Sequence, residues 1–139
     1  MRIEPGAILP PRRIEFVSPA TMKTWAPILH DPNPIHLDRD AVAAKGLGNR
    51  LINQGPINVG YCMDMLLAAF PGSVIESMSS RFIDNVYEGD AVTATGIVAS
   101  VTSRGGALAV EVDFQLKADE RDIVIAGKAT VITAQETMA

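Results

Sequence analysis

The amino-acid sequence predicts an α+β domain in which one long helix is gripped by a curled antiparallel β-sheet. One observation is an apolar segment of about four helical turns, with Gly-Pro at its start and Pro-Gly at its end. Another is a series of four long apolar or alternating segments that short turn sequences separate. Because the helical segments come first and the strands follow, we expect one sheet packed on one main helix. The length of 139 residues fits a single domain, residues 1–139, with one core.

The first elements along the chain are a predicted short strand and a predicted helix. Arg12–Val17 is the strand, and it follows a proline-rich lead. Ser18 is the expected N-cap of the helix, and Pro19 takes the first helical position, where an N–H would have no partner. Pro27 is expected to leave this helix weak or broken, and it ends by residue 30. The residues predicted to point inward are Met22, Trp25 and Ile28.

A stiff loop and a second short helix lead to the central helix. Asp31 and Asn33 each precede a proline, which pushes their backbones away from helical angles. Asp38 is the predicted cap of a short helix over residues 39–45. The central helix then begins at Gly55-Pro56 and ends before Pro71-Gly72. Since this helix is apolar on nearly every face, we expect it to be buried on nearly every face.

Four long strands are predicted after the central helix. In the third, the apolar residues Leu108, Val110, Val112, Phe114 and Leu116 alternate with Glu111, Asp113, Gln115 and Lys117. The four strands are Val74–Val86, Ala91–Ser103, Ala107–Lys117 and Ile123–Ala134. Short polar and glycine-containing turns join them, so we expect antiparallel pairing. One long helix wrapped by such a sheet is the pattern of the hot-dog fold, which is the fold class predicted here.

Composition and charge exclude several classes of function. The net charge is −4 and the pI is about 5.1, so the chain has no electrostatic footprint of a nucleic-acid-binding protein. Cys62 is the only cysteine, which excludes an internal disulfide and gives no sign of a zinc cluster. The longest apolar run is interrupted by Asp64 and is about half the length of a membrane span. With no secretory signal pattern either, the predicted location is cytoplasmic and away from membranes.

One short segment carries residues suited to acid–base chemistry. His30–His36 places the carboxylate of Asp31, the amide of Asn33 and the imidazole of His36 on a loop with two prolines. Adding water to a polarised double bond requires groups that take a proton from water and return one to the α-carbon. It also requires donors for the negative charge that develops on a thioester oxygen. Gly55, at the start of the central helix, is the expected donor, because the next residue is proline and has no N–H.

The stretch from Asp31 to about Leu66 resembles the MaoC-like family of R-specific enoyl-CoA hydratases and dehydratases. The family motif is matched by Asp31, Asn33, Pro34, Ile35, His36 and, at the mouth of the central helix, Gly55. The resemblance implies reversible hydration of a trans-2-enoyl thioester to the (R)-3-hydroxyacyl thioester. It implies that Asp31 and His36 are the catalytic pair acting on a water, while Gly55 is the oxyanion donor. Asn33 is implied as a polar residue that shapes the site.

The same resemblance bears on cofactors and partners. No metal or redox cofactor is implied, because coenzyme A or acyl-carrier pantetheine enters as part of the substrate. A homodimer or higher oligomer is implied, with two sheets joined edge to edge, and heteromeric assembly is also compatible with the family. Three positions depart from the family pattern: His30 replaces a usual glycine, Gln54 replaces a frequent histidine, and Pro56 follows Gly55. These departures leave the Asp/His pair intact and bear on the acyl pocket.

Two other functions remain open from the sequence. A hot-dog thioesterase would direct water at the thioester carbonyl and typically uses a carboxylate on the central helix, which here would be Asp64. The other alternative is a non-catalytic or partner subunit of a heteromeric hydratase. Such partners tend to lose the Asp/His pair, whereas this chain keeps Asp31 and His36.

Overall fold

The secondary structure follows the predicted order of elements. A computed structural model describes all of residues 1–139. Its elements are β1 (Arg12–Ile14), α1 (Pro19–Ile28), a 3₁₀ turn (Pro34–His36), α2 (Arg39–Ala44), α3 (Gly55–Ala69), β2 (Val74–Phe82), β3 (Val92–Arg104), β4 (Ala107–Ala118) and β5 (Ile123–Thr133). The five strands pair antiparallel in one sheet of order β1-β3-β4-β5-β2. None of the helices is long and apolar enough to cross a membrane.

The core lies between α3 and the concave face of the sheet. Helix α3 contacts all five strands, and its buried apolar residues are Cys62, Met65, Leu66 and Ala69. The alternation predicted for the third long strand is confirmed in β4, where Val110, Val112, Phe114 and Leu116 are buried and the intervening polar residues are not. A long helix held in a curled antiparallel sheet is the predicted hot-dog fold.

The predicted inner face of α1 was wrong at two of three positions. Met22 is fully buried as predicted, but Trp25 and Ile28 are exposed, and Ala26 is the second buried residue. The helix rests on the molecule along a narrow stripe, so its larger apolar residues remain outside. Pro27 also does not break the helix, because it occupies the penultimate position and only Ile28 follows it.

The surroundings of α3 also differ from the prediction. The sheet covers one side of the helix, so the apolar residues Met63 and Leu67 on the other side are exposed. The strand after α3 ends at Phe82, four residues before the predicted end at Val86, because the chain leaves the sheet there. The other three long strands end within one residue of their predicted bounds.

Two glycines show how unevenly the fold tolerates side chains. A Cβ at Gly127 of β5 would overlap the Ser79 carbonyl oxygen of β2 and the ring of Phe114 in β4. A Cβ at Gly60 of α3 would have no atom within 4 Å. Gly127 is therefore needed for the close packing of three neighbouring strands, whereas Gly60 is not needed for space.

Candidate active site

The end of α1 fixes the backbone of Asp31. His30 takes a left-handed conformation, with φ of 51°, immediately after the helix cap. The N–H of His30 donates to the Pro27 carbonyl at 3.2 Å, and the N–H of Asp31 donates to the Ala26 carbonyl at 2.9 Å. This pair of bonds is a Schellman motif, whose left-handed position usually holds glycine. The histidine at position 30 therefore performs, with some backbone strain, a role to which glycine is better suited.

Asn33 connects Asp31 to the 3₁₀ turn that carries His36. Its backbone N–H donates to Oδ1 of Asp31 at 3.2 Å. Its side-chain Oδ1 accepts the N–H of Ile35 at 3.3 Å and so caps the turn, in which Pro34 takes the first position. The sequence predicted that Asn33 shapes the site, and the structure places it between the two other polar residues of the motif.

The structure brings Asp31 and His36 together. Oδ2 of Asp31 lies 3.2 Å from Nε2 of His36. Nδ1 of His36 lies 2.6 Å from the carbonyl oxygen of Ile52, so this nitrogen carries a proton and donates it to the carbonyl. In the neutral ring Nε2 is then unprotonated and can accept a hydrogen bond. The side chain of His36 is buried, whereas that of Asp31 is 30% exposed.

The carbonyl that orients His36 is itself anchored by a long-range pairing. Ile52 forms an isolated antiparallel bridge with Tyr87, and its N–H donates to the Ile35 carbonyl at 3.0 Å. Next to it, the N–H of Leu51 donates to the carboxylate of Glu88 at 3.0 Å. The guanidinium of Arg39 binds the same carboxylate through two hydrogen bonds of 2.6 Å, and these hold the pKa of Glu88 below its usual range.

A buried carboxylate secures the other end of the same pairing. Asp90 is almost fully buried and accepts hydrogen bonds from Arg50 at 3.1 Å, from Arg121 at 2.6 Å and from the N–H of Tyr87 at 2.9 Å. The two guanidinium groups also lie over the Tyr87 ring, 4.9 and 4.8 Å from its centroid. The Asp90 carboxylate is paired with both guanidinium groups, and this cluster holds in place the residues that orient His36.

A cavity of about 370 Å³ lies against His36 and the start of α3. Asn33 and Gly55 line it together with His36, so three of the four predicted site residues share one wall. Asp31 does not line this cavity, and it lines a separate open hollow with His30. At Gly55, a Cβ would lie 3.2 Å from the ring of Phe82, which also lines the cavity.

Gly55 offers the free backbone donor at the mouth of α3. Its N–H has no acceptor within the protein, and Pro56 has no N–H to offer. The next two backbone N–H groups, those of Ile57 and Asn58, both donate to the Gln54 carbonyl, at 3.1 and 3.3 Å. The single unsatisfied donor of the first helical turn therefore borders the cavity.

Three polar side chains near the cavity were not predicted as site residues. Asn53 donates through Nδ2 to Oδ1 of Asn58 at 2.8 Å and to the hydroxyl of Tyr61 at 3.2 Å. Burial raises the pKa of Tyr61, partly opposed by the bond from Asn53. A signal was available in the sequence, because Asn58 is a polar residue in the first turn of a mostly apolar helix.

Other titratable groups of the region stand apart from the cavity. Asp64 is exposed on α3 and does not line the cavity. Cys62 is fully buried, and burial raises the pKa of its thiol to about 12, so it stays protonated at neutral pH. No group of three or more histidine, cysteine, aspartate or glutamate side chains is arranged to hold a metal ion.

Comparison with known proteins places this geometry in a family. The model of the MaoC-like domain matches residues 6–119. A mitochondrial protein of Arabidopsis thaliana named 3-hydroxyacyl-[acyl-carrier-protein] dehydratase is 32% identical over 124 residues, which cover 87% of this chain and 73% of that protein.

Solved structures agree on the fold. The unliganded R-hydratase PhaJ1 from Pseudomonas aeruginosa superposes with a TM-score of 0.83 at 18% identity, covering 96% of this chain and 84% of that one. A chain from the ChsH1–ChsH2 complex of Mycobacterium tuberculosis superposes with a TM-score of 0.77 at 21% identity, covering 100% of both. At such identities the likeness shows a shared hot-dog fold.

Proposed function

Because this chain belongs to the MaoC-like dehydratase family, we propose that it catalyses the reversible hydration of a trans-2-enoyl thioester. The product is the (R)-3-hydroxyacyl thioester, and coenzyme A or acyl-carrier pantetheine is the thiol component of the substrate. The observation that carries the proposal is the contact between Asp31 and His36, together with a cavity that His36 lines and that the residue with the free backbone N–H, Gly55, also lines.

Asp31 and His36 are proposed to hold the water that attacks. The carboxylate oxygen and the unprotonated Nε2 are both acceptors, 3.2 Å apart, so they do not hydrogen-bond to each other while His36 is neutral. A water in front of them donates one hydrogen to each. Because His36 lines the cavity, an enoyl group in the cavity would lie next to this water and could be attacked by its oxygen.

The proton balance of the proposed step is closed within the site. The water oxygen forms a bond to the β-carbon, one water proton passes to the Asp31–His36 pair, and the electrons of the double bond shift toward the thioester carbonyl. The enolate then takes a proton from the pair at its α-carbon, on the same face. Dehydration is the same sequence in reverse.

Gly55 is proposed to stabilise the enolate oxygen. Its N–H is the free donor of the first turn of α3, and the positive end of the helix dipole adds to its effect. The absence of a side chain at this position also keeps the approach to the N–H open, since a Cβ would narrow the gap to Phe82.

The thioesterase alternative has less support from this arrangement. It would need a carboxylate on α3 near the thioester, but Asp64 is exposed and lies away from the cavity of His36. Asp31 approaches that histidine from the loop instead. The hydratase proposal uses both polar residues that the structure brings together.

We expect the active form to contain more than one chain. Strand β2 is an edge strand that pairs only with β5, and Val74 and Phe82 at its two ends are exposed. Phe82 and Ile83 both line the cavity and face solvent, so a second subunit at this edge would also close the cavity. A second chain of the same or a different sequence satisfies this requirement.

The testing experiment uses purified protein with crotonyl-CoA and with a longer enoyl-CoA. Loss of the ultraviolet absorbance of the conjugated enoyl thioester, without release of free thiol, would support hydration. Release of free thiol without hydration would show that the protein is a thioesterase. Light scattering on the same sample tests the assembly, and a monomer with full activity would refute the second-subunit proposal.

A further inference from the structure

Asn58 is a buried polar residue in the wall of the cavity. It is 3% exposed, yet it lines the same cavity as His36 and Gly55. Its Oδ1 is occupied by the amide of Asn53, which fixes the orientation of the side chain. Its Nδ2 donates to no protein atom. Only two side-chain atoms are both buried and without a hydrogen-bond partner, Gln54 Oε1 and Ser73 Oγ, so Nδ2 of Asn58 is accessible. The amide N–H groups of Asn58 therefore open into the cavity.

The position of Asn58 along α3 places this donor beyond the reacting carbons. It follows Gly55 by three residues, so both lie on one face of the helix and are separated by roughly 5 Å along its axis. If the thioester oxygen accepts the Gly55 N–H, as the proposed function requires, and the acyl chain runs along α3 within the same cavity, the chain passes Asn58. The donor then meets the chain a few bonds beyond the carbonyl.

The charges of the cavity wall restrict which substrate groups can accept a hydrogen bond from Asn58. The lining residues include Asp84 but no lysine or arginine. A carboxylate on the acyl chain would lie near Asp84, whose cationic neighbour Arg121, at 3.8 Å, does not line the cavity, and this is unfavourable in a partly enclosed site. A neutral oxygen accepts a hydrogen bond from Asn58 without that cost. A purely hydrocarbon chain would leave the amide without a partner.

We propose that the acyl group of the substrate carries a neutral oxygen, as a hydroxyl or carbonyl group beyond the β-carbon, and that Asn58 selects for it. This assignment rests on the proposed hydratase function and adds the substrate class to it. A site built to hydrogen-bond a substrate oxygen discriminates against the analogue that lacks it, because the protein group is then left unpaired. A preference of about 10- to 100-fold is expected.

The test compares binding and turnover with matched thioesters. Butyryl-CoA, 4-hydroxybutyryl-CoA and succinyl-CoA differ at the end of the chain and cannot be hydrated, so calorimetric titration with them measures selectivity alone. Crotonyl-CoA and 4-hydroxycrotonyl-CoA report the same selectivity in kcat/KM. The variant is Asn58→Leu, which keeps a side chain of similar size and leaves Asn53 bonded to Tyr61. The control is Asn49→Leu, the same change at an exposed position outside the cavity.

We expect the wild-type protein and Asn49→Leu to bind 4-hydroxybutyryl-CoA about tenfold or more tightly than butyryl-CoA. Asn58→Leu should reverse that order and should gain kcat/KM on crotonyl-CoA. Equal binding of the two ligands by wild type, no binding of either, or tightest binding of succinyl-CoA would overturn the proposal. Selective binding without any hydration would support the role of Asn58 and refute the hydratase. Hydration without selectivity would support the hydratase function and refute the role of Asn58.

Discussion

Asp31→Asn separates the chemistry of the candidate pair from its shape. In the wild type, Oδ1 of Asp31 accepts the Asn33 N–H at 3.2 Å, and Oδ2 lies 3.2 Å from Nε2 of His36. An asparagine keeps the first bond through its own Oδ1. Its Nδ2 takes the place of Oδ2 and donates to the lone pair of His36. The acceptor at Asp31 is removed and the acceptor at His36 is occupied, so the attacking water of the proposed reaction loses both of its hydrogen-bond partners.

The expected magnitudes follow from these contacts. The free energy of unfolding should change by less than about 1 kcal/mol, because Asp31 is partly exposed and no hydrogen bond is left unmade. The hydration rate should fall by about 10²-fold or more, since the acid–base function is lost. Asp38→Asn is the matched control, because Asp38 caps α2 from an exposed position and its carboxylate accepts only the Asp40 N–H, at 2.9 Å.

The assay is the loss of enoyl absorbance with crotonyl-CoA, with thermal unfolding measured on the same preparations. Asp38→Asn should retain the wild-type rate. If Asp31→Asn also retained a rate within about threefold of the wild type, the role given to the pair would be refuted. If instead it unfolded several degrees below the wild type, the assigned hydrogen bonds would be wrong.

Three further predictions concern the frame of the site. His30→Gly removes a Cβ from a left-handed position and should raise the free energy of unfolding by roughly 0.5–1 kcal/mol; a lower melting temperature would contradict the assigned strain. Gly127→Ala should cost about 2 kcal/mol or more, because strands must separate, whereas its control Gly60→Ala should gain roughly 0.5–1 kcal/mol in an open helical position. Equal melting temperatures for these two variants would refute the packing assigned to Gly127. Arg39 lowers the pKa of Glu88, so the stability that this carboxylate contributes is present above its ordinary pKa of 4.5 and is lost as the pH falls through the lowered value. Wild type and Glu88→Gln should therefore differ in melting temperature at neutral pH and converge in acid; a constant difference would exclude this ion pair as its source.

The sequence allowed prediction of those parts of the site that depend on neighbouring residues. Asp31, Asn33 and His36 fall within six positions, and a helix end, an asparagine cap and a 3₁₀ turn bring them together. The position of Gly55 could be predicted for a similar reason, because a Gly-Pro pair marks the start of a helix. These are short-range rules of backbone geometry, which a single sequence displays directly.

Other features depend on contacts between distant segments and could not be predicted from one sequence. The Ile52 carbonyl orients His36 only because Ile52 pairs with Tyr87, 35 positions later. Trp25 and Ile28 had the spacing of an inner helical face, but spacing alone does not show how wide a stripe the rest of the molecule covers.

The Asp31–His36 pair comes from one continuous stretch of chain, whereas another part of the cavity lining comes from Asn58 of α3, the end of β2 and the segment after it. If the proposed function is right, substitutions in that part of the lining can alter which acyl group is accepted without moving Asp31 and His36. Such a division makes this scaffold evolvable, because a new substrate range needs few coordinated changes. For the same reason it is a practical starting point for engineering, in which Asn58, Phe82 and Ile83 would be varied while residues 31–36 are kept.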